Sequence, residues 1–257
     1  MNIYQHFRPE EREFIDQVIN WKNHVENSYS PRLTDFLDPR EQQLVTTVTG
    51  QGEEVKLAFF GGCDQSERKR ALLFPGYYQS EDADYQITLF NIVYPAKFVT
   101  IEHRHVLGSL MSLGLKRGKF GDILYHDTTV QFFAAKEVAP YIHNELKSIG
   151  KATIRLEEIP FQLAIKVEES WQDEFVTASS LRLDTMISIL YNCSRQKAQL
   201  LIGQGHAKVN WTVLESPSFE CRVGDTLSVR GFGRTKIVSI EGKTKKDKWR
   251  ISAKKQK

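Results

Sequence analysis

Between Ser180 and Asp225 the chain spaces its apolar residues in a way that few folds satisfy. Leu183, Met186, Ile187 and Leu190 fall at i, i+3, i+4 and i+7, which predicts a short helix with one buried stripe. Ser194 is placed to cap a second helix, in which Ala198, Leu201 and Ile202 can pack back on the first. Gly203 and Gly205 bracket its end and permit left-handed backbone. Ala207, Val209 and Trp211 then alternate with His206, Lys208 and Asn210, the period of a strand with one buried and one polar face. Val223-Gly-Asp225 makes a tight turn into Thr226-Leu-Ser-Val229. Two helices, a glycine turn and an alternating strand must therefore share one small core.

Cations recur along this plan. Arg195 and Lys197 project from the first turn of the second helix, where the positive helix end and unpaired N–H groups already favour an anion. The charge balance agrees. Residues 177–257 carry 16 Lys and Arg against 6 Asp and Glu, whereas residues 1–176 carry 19 against 26. A basic segment on an acidic body points to a polyanionic partner. Lys243 to Lys257 alone can be a solvated tail, but Arg182, Arg195, Lys197, Lys208, Arg222, Arg230, Arg234 and Lys236 remain without it. The bias belongs to the segment itself.

The preceding chain divides into two parts. In the first, roughly residues 1–80, Phe14, Val18, Trp21 and Val25 predict an amphipathic helix over about 9–27, and Asp38-Pro39 opens a second helix. Val55–Phe60 and Ala71–Phe74 read as strands, each stopped by glycine or proline. The charged run Asp64–Arg70 between them is either a solvated hairpin tip or an RNA contact.

Residues 81–165 give a β-α-β-β-α-β pattern. Its elements are a strand at Ile87–Tyr94, a helix at His105–Leu115, a hairpin over Asp122–Phe133, a helix with Val138, Tyr141, Ile142, Leu146 and Ile149 on one side, and a strand at Ala152–Leu156. That order is the ferredoxin-like, or RNA-recognition-motif-like, plait. Val130-Gln-Phe-Phe133 on its third strand is the place for base stacking in such a sheet, and equally the content of a buried one. Two cationic features form a possible second RNA contact: His103, Arg104 and His105 at the first helix, and Lys116, Arg117 and Lys119 among the glycines Gly118 and Gly121. Glycines among cations suit a phosphate-binding loop; a helix end with dipole-complementing cations and turn glycines has the same composition. An acidic connector, 166–179, precedes the basic segment of 180–257.

Several functions are not expected. No run approaches a membrane-spanning length, and no signal-peptide pattern opens the chain. Cys63, Cys193 and Cys221 are too few and scattered for a disulfide framework or metal cluster, which suits a reducing cytoplasm. His103 and His105 lack partners at metal-ligand spacing, and Glu102 beside His103 has no nucleophile. No metal, cofactor or catalytic set is expected, and the chain reads as a monomer.

Arg182-Leu-Asp184, Ser194-Arg-Gln-Lys-Ala198, Leu201-Ile202, Gln204-Gly205, Val209-Asn210 and Gly224-Asp225 together resemble the S4-type RNA-binding domain. That family usually has glycine after Val-Asn, where this chain has Trp211, so the following turn is expected to differ. The resemblance implies RNA-facing residues at Arg182, Ser194, Arg195, Lys197, Gln204, Lys208 and Asn210. Arg230-Gly-Phe-Gly-Arg-Thr-Lys236 beyond the motif extends the set by Arg230, Arg234 and Lys236, with a plain glycine turn as the alternative.

With His103-Arg-His105-Val-Leu-Gly108, Gly121-Asp-Ile123 and Arg230-Gly-Phe-Gly-Arg234, the whole chain resembles the YlmH-type family. The expected architecture is α+β: an N-terminal α/β segment, a plait and a C-terminal S4-type domain. The resemblance implies a cytoplasmic factor that binds rRNA or tRNA on the large ribosomal subunit, acting in quality control of stalled peptidyl-tRNA. It also implies a link to cell division, so a division-linked adaptor is one alternative. A pseudouridine synthase-like RNA-modifying protein is another. Against it, Ile187-Ser-Ile189 stands where the Thr-Ser-Gly of that catalytic motif belongs.

Overall fold

The computed structural model describes residue 7 and residues 11–50, 52–166 and 171–256. It separates into two compact units, one ending and the other beginning between residues 166 and 171.

The first unit opens with α1 (Arg12–Ser28), which ends on left-handed Tyr29. β1 (Arg32–Leu37) leads into α2 (Pro39–Thr49), started by a capping box: Asp38 accepts from the Glu41 N–H while Glu41 accepts from the Asp38 N–H. β2 (Val55–Phe60) and β3 (Lys69–Pro75) complete an antiparallel sheet of order β1-β3-β2. Ile15, Val18, Val45, Ala71 and Leu73 are buried between this sheet and the two helices. β1 is an addition to the expected elements, because Arg-Leu-Thr-Asp-Phe-Leu alternates too weakly to announce a strand.

The plait follows: β4 (Ile87–Val93), α3 (His103–Ser112), β5 (Phe120–His126), β6 (Thr129–Ala135), α4 (Ala139–Glu145), the two-residue strands β7 (Ser148–Ile149) and β8 (Ala152–Thr153), and β9 (Arg155–Ile159). The sheet order β5-β6-β4-β9, antiparallel throughout, is that of a ferredoxin-like plait. The second helix stops at Glu145, short of the expected Ile149. Ser148 and Ile149 instead pair with Ala152 and Thr153 around Gly150, whose φ is +58°.

Both faces of the plait sheet are occupied. Phe90, Phe132 and Val130 pack under Val106, Leu110 and Ile142 of α3 and α4. Leu89, Leu124 and Phe133 face Phe36, Leu72 and Phe74 of the N-terminal sheet. Phe132 and Phe133 are both fully buried, so the sheet offers no open aromatic for a base. The charged run 64–70 ties the two parts together. The backbone N–H groups of Glu67 and Arg68 donate to the Asp122 carboxylate. Arg70, almost fully buried, donates to the Thr34 and Gln86 carbonyls and pairs with Glu137.

The second unit is a six-stranded antiparallel sheet backed by two helices: β10 (Trp171–Ala178), α5 (Leu183–Leu190), α6 (Arg195–Gly203), β11 (Ala207–Val209), β12 (Thr212–Val213), β13 (Thr226–Val229), β14 (Gly233–Lys243) and β15 (Trp249–Gln256). The strand order is β10-β15-β14-β13-β11-β12. Two expectations are corrected. The described part of the acidic connector forms β10, paired with β15 from Trp171↔Gln256 to Ala178↔Trp249. Its partner residues lie 71 to 85 positions downstream, so nothing local announces it. The basic extension, in turn, supplies β15, a central strand with Ile251 and Ala253 buried. Leu183, Met186, Ile187, Ala198 and Ile202 of the helices pack on Val209, Leu227, Ile237 and Ala253 of the sheet.

Candidate nucleic-acid interface

The motif residues of the second unit meet in two hydrogen-bonded locks. The first is built on Asp184, a fully buried carboxylate in the first turn of α5. Its Oδ2 accepts from Arg182 Nη2 at 3.2 Å, Arg195 Nη2 at 3.0 Å and Gln199 Nε2 at 2.9 Å. Burial pushes its pKa up, but the hydrogen bonds from Arg182, Gln199 and Arg195 outweigh that and hold it well below the ordinary carboxylate range. The two guanidiniums keep outer edges in solvent, with side-chain exposures of 39% and 56%. Two guanidiniums are thus held by one carboxylate with their outer edges exposed. Gln199 is an addition to the expected residues. Its position four after Arg195 on one helical face was the available signal.

Ser194 caps α6, its Oγ accepting from the Lys197 N–H at 3.1 Å. The Lys197 ammonium lies 5.2 Å from the centre of the Phe232 ring. Phe232 in turn sits edge-on to Tyr191. The buried Tyr191 hydroxyl donates to the Leu227 carbonyl at 2.8 Å, and burial pushes its pKa up to about 12. Through these contacts the hairpin tip at Arg230–Gly233 is fastened to the helical side. Arg182 and Arg195 share the Asp184 carboxylate, and Ser194 and Lys197 lie in the same first turn of α6 as Arg195.

The second lock joins Asn210 to Asp225. Asn210 Nδ2 donates to Asp225 Oδ1 at 2.6 Å, and Asn210 Oδ1 accepts from the Thr226 N–H at 2.9 Å. Asp225 Oδ2 accepts from the Arg222 N–H at 2.8 Å. The Asn210 amide is therefore engaged in holding two turns together rather than turned out toward a ligand. Val209 pairs with Thr212, so Asn210 and Trp211 form a two-residue hairpin loop with φ of +48° and +63°. The turn keeps the geometry that glycine favours despite tryptophan at its second position.

The other expected contacts lie elsewhere. Gln204 is exposed at the end of α6, and Arg230 is exposed at the hairpin tip. Lys208, Arg234 and Lys236 lie on the sheet. Register pairs Lys208 with Ser228 and Ser228 with Arg234, and Lys236 lies two residues farther along β14. Their inward neighbours Val209, Thr235 and Ile237 are fully buried, so the three cations face away from the helices. The ten expected contacts do not form one track.

In the first unit the second candidate cluster divides as well. Arg117 donates to the Phe120 carbonyl at 2.6 Å, and burial, with Arg68 nearby, lowers its pKa to about 10. Lys119 pairs with Asp35 and Glu137. Arg104 pairs with Glu102 at 2.8 Å on the surface, and His105 Nδ1 accepts from the Glu102 N–H. Lys116 is exposed, and His103 lies beside the Tyr125 ring at 6.3 Å. Gly121 is buried: a Cβ there would stand 2.8 Å from Phe36 and 2.9 Å from Phe133, so it serves packing, not a phosphate. Among the described residues no His, Cys, Asp and Glu group is arranged to hold a metal, and no helix is long and apolar enough to cross a membrane.

Comparison with known proteins gives this geometry its context. Residues 10–81 match the family model "YlmH, N-terminal", residues 80–163 the model "Putative RNA-binding domain in YlmH", and residues 181–227 the "S4 domain". The ribosome-associated protein quality control protein P2 of Bacillus subtilis (strain 168) is 50% identical over 258 residues, spanning 100% of this chain and 99% of that protein. The small ribosomal subunit protein uS4 of Caldicellulosiruptor bescii is 32% identical over 86 residues, 32% of this chain and 41% of that one. The solved structure of the cell division protein ylmH from Streptococcus pneumoniae is 36% identical, covering 64% of this chain and 100% of its own, with a TM-score of 0.55. The chain therefore belongs to the YlmH family, with an S4 domain at its C-terminal end.

Proposed function

We propose that the chain is a non-catalytic RNA-binding factor of the translation machinery. It binds rRNA or tRNA on the large ribosomal subunit and acts, as a monomer in the cytoplasm, in ribosome-associated quality control of stalled peptidyl-tRNA. The carrying observation is the pair of guanidiniums that Asp184 holds beside the N-terminus of α6. Fixed arginines at a positive helix end suit RNA phosphates better than a small anion, because the cluster runs on through Lys197 to the hairpin tip. The name of the Bacillus subtilis relative supports the quality-control setting.

The same lock argues against RNA modification through the Arg-Leu-Asp motif. A catalytic aspartate must reach its substrate, whereas Asp184 is sealed from solvent with both oxygens engaged. Ser188, at the place of the missing catalytic motif, donates its hydroxyl to the Cys193 carbonyl. The pneumococcal relative's name, a cell division protein, keeps a division-linked adaptor as the second reading.

The deciding experiment crosslinks the protein to RNA in cells and reads the contacts by sequencing. Crosslinks in large-subunit rRNA or tRNA that vanish in the Arg195→Ala/Lys197→Ala variant are expected. Unchanged crosslinking in that variant, or co-purification with division proteins that survives RNase without ribosomes, removes the reading.

A further inference from the structure

The face of the six-stranded sheet turned away from α5 and α6 has no part in the cluster described above. Alternation and register define its contents. Asp173, Phe175 and Thr177 of β10 pair with Lys254, Ser252 and Arg250 of β15, and Lys254 pairs on its other side with Lys236 of β14. Lys208 and Arg234 continue the same face toward β11. Five cations thus share it with two carboxylates among the described residues, Asp173 and Glu241.

Two of its features are unfavourable for a bare surface. Phe175 is 79% exposed in the middle of an edge strand, the kind of position that invites aggregation. Lys236 and Lys254 stand directly opposite each other, and like charges so placed repel. A ligand with both a flat apolar face and spaced negative charge relieves both. Beside Phe175 lies a shallow groove of about 370 Å³, with Thr177, Arg250, Ser252 and Glu241 along it.

We propose that this open face is a second RNA surface, taking an unpaired stretch in which one base stacks on Phe175 while phosphates lie against Arg250, Lys254 and Lys236. An aromatic among cations on an open sheet is how unpaired strands are held without sequence preference. A duplex keeps its bases inside the stack and leaves Phe175 without a partner. The proposal rests on the RNA-binding reading and adds that the domain grips RNA from two sides: structured RNA at the helices, an unpaired segment at the sheet.

The test uses the full chain and two probes, an oligouridylate of about ten nucleotides and an RNA hairpin with a fully paired stem. Phe175→Ala is expected to weaken oligouridylate binding about fivefold or more and to leave hairpin binding unchanged, while Phe175→Tyr retains both. Arg250→Ala/Lys254→Ala is expected to weaken the oligouridylate likewise. Unchanged oligouridylate affinity in Phe175→Ala, while Arg195→Ala/Lys197→Ala still loses the hairpin, overturns this inference and leaves the function reading standing. If the unaltered chain binds neither probe, both fall. Equal loss of both probes in Phe175→Ala marks a structural role and overturns the proposal. So does loss of ribosome co-sedimentation with unchanged oligouridylate affinity, which assigns the face to a protein.

Discussion

Asp184 and Arg195, eleven residues apart in sequence, join α5 to α6 through two hydrogen bonds of 3.1 and 3.0 Å to a carboxylate with no solvent exposure. Under the proposed RNA-binding function the pair serves structure and binding together, because the bond that orders the helices also aims the guanidinium. Asp184→Asn removes the charge and is expected to cost about 2 kcal/mol, read as lost hydrogen-exchange protection in α5 and α6. The pH dependence has a definite sign. Asp184 is held below its ordinary range when folded, so in moderate acid the unfolded chain binds the extra proton and stability rises with pH. The contribution is complete above about pH 5 and is lost as the solution is acidified through the native value. Asp184→Asn should flatten that acid limb; an unchanged limb places the effect elsewhere.

RNA binding through the helical cluster should be strongly salt-dependent. With about six phosphates neutralised, the slope of log affinity against log salt is expected near −4 to −5. Removing Arg195 and Lys197 together should lower the slope by about two and also lower the unfolding midpoint, because Arg195 holds the buried Asp184 carboxylate. A slope near zero in the unaltered chain sinks the electrostatic account.

What the sequence reveals depends on how far apart the partners lie. The helices around Leu183–Leu190 and Ser194–Gly203, the capping box at Asp38 and the plait order are written in local spacing, and they are legible. The strand Trp171–Ala178 is not, because its partner is the far C-terminal strand and its acidic residues hide the alternation. The Arg-Leu-Asp and Ser-Arg motifs mark the candidate interface, yet only the fold shows Asp184 binding Arg182, Arg195 and Gln199 together. Likewise Asn210 looks like a polar contact in sequence and becomes a turn lock once Asp225 stands beside it. Lys208, Arg234 and Lys236 are recognisable as cations, but which face they occupy is a matter of register.

The cations of the plait should separate by role. Arg117→Ala and Lys119→Ala are expected to lower the unfolding midpoint of the first unit, because these side chains hold the Phe120 carbonyl and the Asp35 and Glu137 carboxylates. Lys116→Ala, at an exposed position, should leave the midpoint unchanged and report only on RNA. Gly121→Ala should cost about 1–3 kcal/mol, because the new methyl meets Phe36 and Phe133. Full stability in Gly121→Ala returns that loop to the phosphate-binding candidates.

Trp211 offers a test of stored strain. It occupies the left-handed region with φ of +63°, where a side chain costs about 1–2 kcal/mol relative to glycine. Trp211→Ala keeps that backbone penalty and loses the indole, whereas Trp211→Gly loses the indole and the penalty together. The difference between the two variants isolates the backbone cost, and Gly is expected to be the more stable by about 1 kcal/mol. The comparison holds only while Asn210 and Asp225 still lock the turn, so each variant is repeated with Asn210→Ala. In that background the advantage of glycine should shrink, because a freed loop can leave the left-handed region and shed the strain by itself. Equal stability of Trp211→Gly and Trp211→Ala with the lock intact shows that the turn is unstrained, and that Trp211 is held there by its side chain alone.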